Sequence, residues 1–320
     1  MHNKEQYKIL CKEKNIPFFM QAWWLDAICL PEGKQWDVLL CEENGEIVGA
    51  MPCHIIKKIG FKFIITPTGT QYNGVWIDYP EDMKLHKRYS FEKRVMDNLI
   101  DQLENLKVSH YSQNFHHSFT NWLPFYWRGF KQTTRYTYIL KNIADSNAIF
   151  NNIHPKYRKK IRKCEKELTT DFSLSPEEFY HFHKTSLHEN GRRITYSKQI
   201  FLSIYQAVTK RKQGKIVAIR NKNKDLLSAL FFIWDENRGY NMITVRSKID
   251  KSTDALIYMI WEAIKYLNDK AINYDFEGSM IEGVANKNQH FGAEQIPYFN
   301  ISKCNSKLFS VLTNVKNAFT

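Results

Sequence analysis

The sequence predicts an α/β protein made of two copies of one mixed-sheet domain, and three observations support this prediction. The chain has 320 residues, which suits two domains of about 150 to 160 residues better than one. Hydrophobic residues make up 43% of the chain and aromatic residues 14%, so each half can form a core. Segments typical of strands and helices also follow one another in the same order in both halves.

The first half predicts a hairpin, a third strand, an amphipathic helix, a strand, a short helix and a final strand. These elements are expected, in order, at 36–56 with a turn at Glu43, Asn44 and Gly45, then at 60–68, 90–106, 108–115, 121–130 and 134–140. The helical prediction for 90–106 follows from apolar residues at helical spacing, namely Phe91, Val95, Met96, Leu99, Ile100 and Leu103. The short helix is expected to end at Gly129.

The second half predicts the same succession of elements. Three strands are expected within 214–247, followed by a helix at 253–269, a strand at 272–279, a short helix at 283–292 and a strand at 296–302. Gly129 aligns with Gly292 and Gln132 with Gln295, at a constant separation of 163 residues. We therefore expect two similar domains, 1–144 and 145–320, the second beginning with a basic helical segment at 145–170.

Charge and cysteine usage limit the environment and the partners. The chain carries 46 Lys and Arg against 33 Asp and Glu, a net charge of +13, which favours anionic partners such as phosphates, nucleic acid or anionic lipid without specifying one. The six cysteines stand singly, and no apolar segment has the length of a signal peptide core or a membrane span. We therefore expect a cytoplasmic protein without a transmembrane segment; the sequence leaves the oligomeric state open.

The order of strands, helix, strand, short helix, glycine and strand resembles the GNAT acyltransferase fold. That resemblance implies splayed fourth and fifth strands with an acyl thioester lying between them. The segment 273–279 (NYDFEGS) corresponds to the fifth strand of the second copy, and 110–115 (HYSQNF) to that of the first. The resemblance implies a fold class of α/β type, with mixed sheets in two tandem GNAT-like domains that have splayed central strands.

Four segments extend the resemblance over nearly the whole chain, to the Fem-type branch that includes FemABX-like and BioF2-like acetyltransferases. They read FFMQAWWLDA, PKYRKKIRKCEK, YDFEGS and FGA. Fem-type enzymes resemble this chain in lacking a full CoA signature, and several transfer an amino acid from aminoacyl-tRNA to an amine of a cell-wall precursor. Their long coiled-coil arm has no counterpart here.

Two positions depart from the pattern of many GNAT enzymes. The loop that resembles their glycine-rich pyrophosphate loop reads VRSKIDKSTDA and contains no glycine. Many GNAT enzymes also have a tyrosine acting as general acid four residues before the glycine. Asn288 and Phe125 stand at those positions here.

Two carboxylates are the candidate catalytic groups. Asp275 and Glu277 share one face of the predicted strand if it continues to residue 279, because side chains of a strand alternate. Aminolysis of an activated acyl group needs a neutral amine, and a carboxylate removes its proton directly or through water. Two close carboxylates raise one another's pKa, which suits a base working near neutrality. A helix cap or a lysine pair is the alternative role.

Two basic segments are candidate sites for the donor or its phosphates. The first is the loop before the 253–269 helix, in which Ser252 or Thr253 can be the N-cap; its candidate contacts are Arg246, Ser247, Lys248, Lys251 and Ser252. The second is the basic helix 155–166, in which Arg158 and Arg162 can grip phosphate at two points. An ordinary solvated loop and helix remain the alternatives.

The turn-rich segment 67–76 is expected, by analogy, to border the acceptor pocket through Gln71, Tyr72 and Asn73. A simple β-turn connection is the alternative. Histidine and cysteine residues do not occur at metal-binding spacing, so no metal is expected.

The resulting hypothesis is an acyltransferase that moves an acyl group, with acetyl-CoA or another acyl donor as co-substrate, to a small-molecule, peptide or glycopeptide amine. No tightly bound cofactor is expected. The alternative within enzymes is an aminoacyl-tRNA-dependent transferase acting on a peptidoglycan precursor, with tRNA as partner. The alternative from another class is a non-catalytic protein that binds nucleic acid or a glycan precursor on the same scaffold.

Overall fold

The computed structural model describes residues 2–278, 280–306 and 309, and these form two compact units. The first unit runs to Arg135 and also takes the segment that begins at Pro297. The second unit is Tyr136–Ile296. The two sequence repeats were expected to meet at 144/145, and that remains a prediction. The compact units of the structure divide instead at 135/136 and 296/297.

Helices occupy much of the described chain. The α-helices are α1 (Asn3–Glu13), α2 (Ala22–Cys29), α3 (Leu85–Asn105), α4 (Leu123–Trp127), α5 (Ser146–Asn152), α6 (Pro155–Glu167), α7 (Pro176–Glu189), α8 (Lys198–Lys210), α9 (Asp254–Leu267) and α10 (Glu282–His290). Short 3-10 helices lie at Phe18–Met20 and Leu30–Glu32.

The strands alternate with these helices. They are β1 (Gln35–Glu43), β2 (Glu46–Lys58), β3 (Phe61–Ile65), β4 (Trp76–Ile77), β5 (His110–Asn114), β6 (Lys131–Leu140), β7 (Thr169–Asp171), β8 (Gly214–Arg220), β9 (Leu226–Trp234), β10 (Arg238–Arg246), β11 (Asn273–Asp275) and β12 (Glu294–Cys304). The boundary between the two units falls within β6 and within β12.

The first unit contains a mixed sheet in the order β1, β2, β3, β5, β12, with β4 beside β2. β3 and β5 are parallel, with Ile64 opposite Tyr111, and the other pairs are antiparallel. The apolar stripe of α3 supplies Val95, Leu99 and other buried residues to the core on this sheet. The predicted helix at 90–106 is therefore confirmed, and it begins five residues earlier, at Leu85.

The loop after β3 extends the pairing with β5 in the first unit. The backbone N–H of Thr66 donates to the carbonyl of Ser112 at 3.1 Å. The N–H of Asn73 then donates to the carbonyl of Asn114 at 2.7 Å. Because this loop lies along the end of β5, it fills the place where a splay between β3 and β5 is predicted.

The second unit contains a mixed sheet in the order β6, β11, β10, β9, β8, β7. β11 is parallel to β10 and antiparallel to β6. The helix α9 covers the sheet with a broad buried face that includes Ile257, Ile260 and Ile264. Its core cluster also takes Tyr274 and Phe276 from the region of β11.

The two central strands of the second unit separate after a short paired region. Tyr240 pairs with Asp275, where β11 ends, whereas β10 continues to Arg246. β10 also shifts its register against β9 between Tyr240 and Ile243, which bends it at this level. The predicted splay is therefore present in the second unit, and the predicted fold class is confirmed.

Three details differ from the sequence predictions. The basic segment 145–170 is helical, but it consists of two helices, α5 and α6. The helices α7 and α8 lie in a region that the predicted order of elements does not include. The strand expected at 272–279 ends at Asp275, because Glu277 has a φ of +59° and cannot continue it. Ser279, part of that expected strand, lies outside the described residues. None of the described helices is both long and apolar enough to span a membrane.

We expect Gly214→Ala to destabilise the second unit by about 2 kcal/mol, because extra atoms in a packed core force it to shift. A Cβ at Gly214 would lie 2.2 Å from Cγ2 and 2.9 Å from Cβ of the fully buried Val208. Urea unfolding measures the change. The matched control is Gly283→Ala on α10, where nothing lies within 4 Å and helix propensity predicts a gain of about 0.5–1 kcal/mol. Equal stability of Gly214→Ala and the unmodified protein would contradict the packing described here.

Candidate functional site

The carboxylate of Asp275 lies at the point where β10 and β11 separate. Asp275 is completely buried, and its Oδ1 accepts hydrogen bonds from Thr137 Oγ1 and from the backbone N–H of Glu277, the latter at 2.8 Å. Its Oδ2 lies 3.4 Å from Nη1 of Arg238. A buried carboxylate held by a cation and two donors is a structural anchor, because its oxygens are already engaged.

Arg238 completes this anchor from the first residue of β10. Its side chain is 13% exposed, so the ion pair with Asp275 is largely shielded from water. The partnership ties the start of β10 to the last residue of β11, next to their separation. The geometry therefore favours a positioning role for Asp275, while its predicted catalytic role stays a prediction.

Glu277 follows in a strained turn. Its backbone adopts the left-handed conformation, which is uncommon for a residue with a side chain. Its Oε1 is inaccessible and has no hydrogen-bond partner among the described residues, although the residue as a whole is half-buried. Burial, and then the negative charge of Asp275, raise the pKa of Glu277 well above its ordinary value. A buried carboxyl oxygen that lacks a partner among the described residues, on a group with a raised pKa, is the feature expected of a general base.

The two carboxyl groups are neighbours for a different reason from the predicted one. Strand alternation would have placed Asp275 and Glu277 on one face, but the strand ends between them. The turn instead brings the Glu277 N–H onto Asp275 Oδ1. The prediction that the two acids share one face of a strand is therefore wrong, and their predicted catalytic roles stay predictions.

Aromatic and amide side chains surround these acids within the second unit. Tyr274 is completely buried and donates its hydroxyl to Oδ1 of Asn241 at 3.1 Å, just beyond the last paired residue of β10. Phe276 packs edge-on to Tyr274 at 5.0 Å and against Phe291, which follows α10, at 5.3 Å between ring centroids. These contacts attach α10 to the chain around Glu277.

α10 contributes a lysine that the sequence predictions missed. Lys287 is half-buried, and burial lowers its pKa to about 8. It forms no ion pair within the described part of the chain. A lysine in this state is partly neutral near pH 8 and can exchange protons. Its position on an otherwise short polar helix gives no sequence signal, because the burial comes from tertiary packing.

The predicted donor loop leaves the end of β10 with its cations exposed. Arg246 is exposed, and its carbonyl accepts a hydrogen bond from Ser186 Oγ of α7 at 2.7 Å. Ser247 Oγ accepts from the N–H of Ile249 at 3.2 Å, and so stabilises the turn. Lys248 and Lys251 are exposed. The loop thus presents three cations to solvent beside the splayed strand.

The N-terminus of α9 is occupied by carboxylates of the chain itself. Oδ2 of the buried Asp250 accepts the N–H of Leu256 at 3.4 Å, and Ser252 Oγ lies 3.4 Å from Asp250 Oδ1. Thr253 is the N-cap residue but makes no side-chain capping bond. Asp254 adds a second carboxylate in the first turn. These groups supply the negative charge that an N-terminus favours, so they compete with a phosphate there.

The basic helix α6 links this loop to α10. Lys160 Nζ lies 2.8 Å from Asp254 Oδ1 and donates to the carbonyl of Ser252 at 3.0 Å. At its start, Tyr157 packs against Phe291 at 5.4 Å. Arg162 is exposed with its guanidinium over the ring of Phe150, and Arg158 is half-buried. Both predicted arginines therefore lie on an element that contacts the site from two sides.

The predicted acceptor-pocket residues belong to the first unit and are buried. Gln71 is 8% exposed, Tyr72 3% and Asn73 0%. Tyr72 packs edge-on to Phe19 at 5.1 Å and to His116 at 4.5 Å, which is a core role. Their part in binding an acceptor stays a prediction. Within residues 2–278, 280–306 and 309, no group of three or more His, Cys, Asp or Glu residues could hold a metal ion.

We expect Arg238→Met to destabilise the protein by about 3 kcal/mol, because it leaves the buried Asp275 carboxylate without its cation. Urea unfolding at pH 7 provides the measurement. The control is Lys141→Met, which breaks an ion pair to Glu294 whose side chains are 56% and 54% exposed, and should cost less than about 1 kcal/mol. Similar small losses for both variants would show that Asp275 does not depend on Arg238.

This protein resembles solved structures in its fold. No family model matches the chain, and no curated protein matches it in sequence. The crystal structure of FemX superposes with a TM-score of 0.69 at 14% identity, over 93% of this chain and 96% of FemX. L-PGS from Bacillus licheniformis superposes with a TM-score of 0.58 at 12% identity, over 98% of this chain and 96% of that one.

A tandem GNAT protein from the clavulanic acid biosynthesis pathway also superposes, with a TM-score of 0.53 at 8% identity, over 93% of this chain and 92% of that one. Such low identities establish the fold alone. The superpositions agree with the splayed strands of the second unit and with the repeated order of elements. The chain therefore shares its overall fold with FemX and with a tandem GNAT protein.

Proposed function

We propose that this protein is an acyltransferase that moves an acyl group from a thioester or ester donor to an amine. The observation that carries the proposal is the carboxyl of Glu277, unpartnered at Oε1 and turned in beside the point where β10 leaves β11. Its raised pKa supports the assignment. The fold shared with FemX and with a tandem GNAT protein makes acyl transfer the first chemistry to consider, by analogy.

In the proposed reaction, Glu277 takes a proton from the acceptor ammonium, and the neutral amine attacks the acyl carbon. A C–N bond forms, and the carbonyl becomes a tetrahedral oxyanion. The oxyanion then collapses, the bond from the acyl carbon to sulfur or oxygen breaks, and the surplus proton on the attacking nitrogen passes to the leaving group, which leaves a neutral amide. Lys287 of α10 is a further group able to exchange protons near neutrality, because burial lowers its pKa to about 8.

The positioning of Glu277 depends on its neighbour. Asp275 holds the Glu277 backbone N–H at 2.8 Å, and its negative charge raises the pKa of Glu277. A carboxyl with a raised pKa is a stronger base once ionised, so the same contact orients the base and strengthens it. We assign Asp275 to this positioning role.

The first candidate donor is acetyl-CoA or a related thioester, as the GNAT fold suggests. Its phosphates would meet the exposed cations Arg246, Lys248 and Lys251 at the end of β10. The acceptor would be a small molecule or peptide with a free amine.

The second candidate donor is aminoacyl-tRNA, with a peptidoglycan precursor as the acceptor. Two observations favour it. The carboxylates Asp250 and Asp254 already occupy the N-terminus of α9, where a CoA pyrophosphate is expected in this fold. The basic helix α6, which contacts both the loop before α9 and α10, also carries Arg158 and Arg162, and this suits a phosphate backbone.

We expect Glu277→Gln to lower kcat by about 100-fold or more, because an amide cannot accept the proton. Transfer to an amine is measured separately with radiolabelled acetyl-CoA and with aminoacyl-tRNA, and the donor that the unmodified protein uses identifies the candidate. The variant should melt at an equal or higher temperature, because it removes a buried charge beside Asp275.

Glu282→Gln is the matched control for this experiment, because Glu282 is exposed in the first turn of α10. It should transfer the acyl group as fast as the unmodified protein. Unchanged turnover in Glu277→Gln would remove Glu277 from the mechanism, and absence of transfer from either donor would favour a binding protein on this scaffold.

The pH dependence of kcat/KM should show an acidic limb above the ordinary pKa of a glutamate. Glu277 acts in its ionised form, and its raised pKa means that activity increases only as the pH rises through that value. In Asp275→Asn the negative charge is lost, so the limb should move to lower pH. A limb that stays in place would show that the titrating group is not Glu277.

The Glu277 charge should also lower the free energy of unfolding as pH rises, since the folded state binds this proton more tightly than the unfolded state does.

A further inference from the structure

A buried asparagine lies on the inward face of α10 and is not used by the mechanism above. Asn288 is completely buried, with 0% of its surface exposed. Neither Oδ1 nor Nδ2 of its side chain has a hydrogen-bond partner among the described residues. Buried side-chain amides nearly always have partners, because an unmade hydrogen bond there costs the full loss of hydration. An amide in this state therefore calls for a function.

Two aromatic rings connect the helix that carries Asn288 to the turn that carries Glu277. Asn288 is three residues from Ala285 and from Phe291, so all three share one face of the helix and its end. Both neighbours pack against the core cluster of the second unit. Phe291 contacts Phe276, the residue directly before Glu277. Two buried polar groups without partners, the Asn288 amide and Glu277 Oε1, thus lie on the two elements that Phe276 and Phe291 join.

The chemistry of the side chain indicates what it binds. Nδ2 donates and Oδ1 accepts, so the complementary group must accept one hydrogen bond and donate another. A carboxylate or phosphate offers only acceptors, and an ammonium only donors. A secondary or primary amide offers both at the same spacing, as in the pairing of one amide with another.

We propose that Asn288 is a specificity-determining residue that recognises an amide group of the substrate. This inference rests on the proposed acyl transfer and adds the substrate class, namely a molecule with an amide near the reacting centre. Two sources share that chemistry: the pantetheine arm of a CoA thioester and the backbone of a peptide acceptor. A site built to bond both atoms of an amide rejects a molecule that lacks it, because its own buried groups are then left unpaired.

Calorimetric titration of Asn288→Leu and Asn288→Ala tests the proposal, with acetyl-CoA and the tripeptide Lys-D-Ala-D-Ala as separate probes. Affinity for one of the probes should fall about tenfold or more, since one lost hydrogen bond to a buried group has this order of effect. The probe that is affected identifies the source of the amide. Asn286→Ala is the matched control, because Asn286 is exposed on the same helix, and it should bind both probes like the unmodified protein.

The melting temperature of the variants separates recognition from a structural role. Asn288→Leu should melt at the same or a higher temperature, because it removes a buried amide that has no partner in the described structure. A clear fall in melting temperature in both variants would assign the amide to folding and overturn the proposal, as would unchanged affinity for both probes. If the unmodified protein binds neither probe, this inference fails for both sources of the amide, whereas acyl transfer itself is decided by the separate transfer assay with the two donors; binding that the variants retain contradicts only this inference.

Discussion

The buried carboxylate of Asp275 is the interaction on which the rest of the site depends. One side chain holds the start of β10 through Arg238, the end of β6 through Thr137, and the turn that carries Glu277 through a backbone N–H. Burying an ionised carboxylate is costly unless cations and donors surround it. Once those partners are present, they hold the three segments in place relative to one another. Moving any segment away would leave the buried carboxylate without one of its partners, at a cost in free energy.

The two units differ at the place where the catalytic site is proposed. In the first unit the loop after β3 continues the pairing with β5 as far as Asn73. In the second unit β10 continues to Arg246 beyond the end of β11, so its edge on that side is no longer paired with β11, while its other edge stays paired with β9. A strand whose backbone groups lack a neighbour can offer them to a ligand, whereas a paired strand cannot. The first unit therefore fills this edge with its own loop, whereas the second unit carries the proposed site there, although both follow the same order of elements.

The sequence predicted the order of elements better than the details of the site. Hydrophobic periodicity located α3 and α9, because their buried faces follow helical spacing closely. Periodicity could not predict that Glu277 leaves the strand, since a left-handed glutamate is imposed by the tertiary contacts around Asp275. The burial of Lys287 was equally beyond it, because a short polar helix gives no sign of which lysine faces inward. The sequence does show that Asn288 stands where many GNAT enzymes have a tyrosine, but it cannot show that the side chain of Asn288 lacks a hydrogen-bond partner among the described residues.

The loop before α9 differs from a glycine-rich loop in the kind of contacts with which it would hold the proposed anionic donor. Glycine-rich loops let backbone N–H groups approach a pyrophosphate, and that attraction is short-range and little affected by salt. Here Asp250 and Asp254 take the helix N-terminus, and Lys160 of α6 neutralises Asp254. Any anionic donor must then be held by side-chain cations such as Arg246 and Arg162, which are exposed. Exposed cations attract over longer distances but are screened by salt, so this arrangement suits a large, multiply charged donor better than a single pyrophosphate.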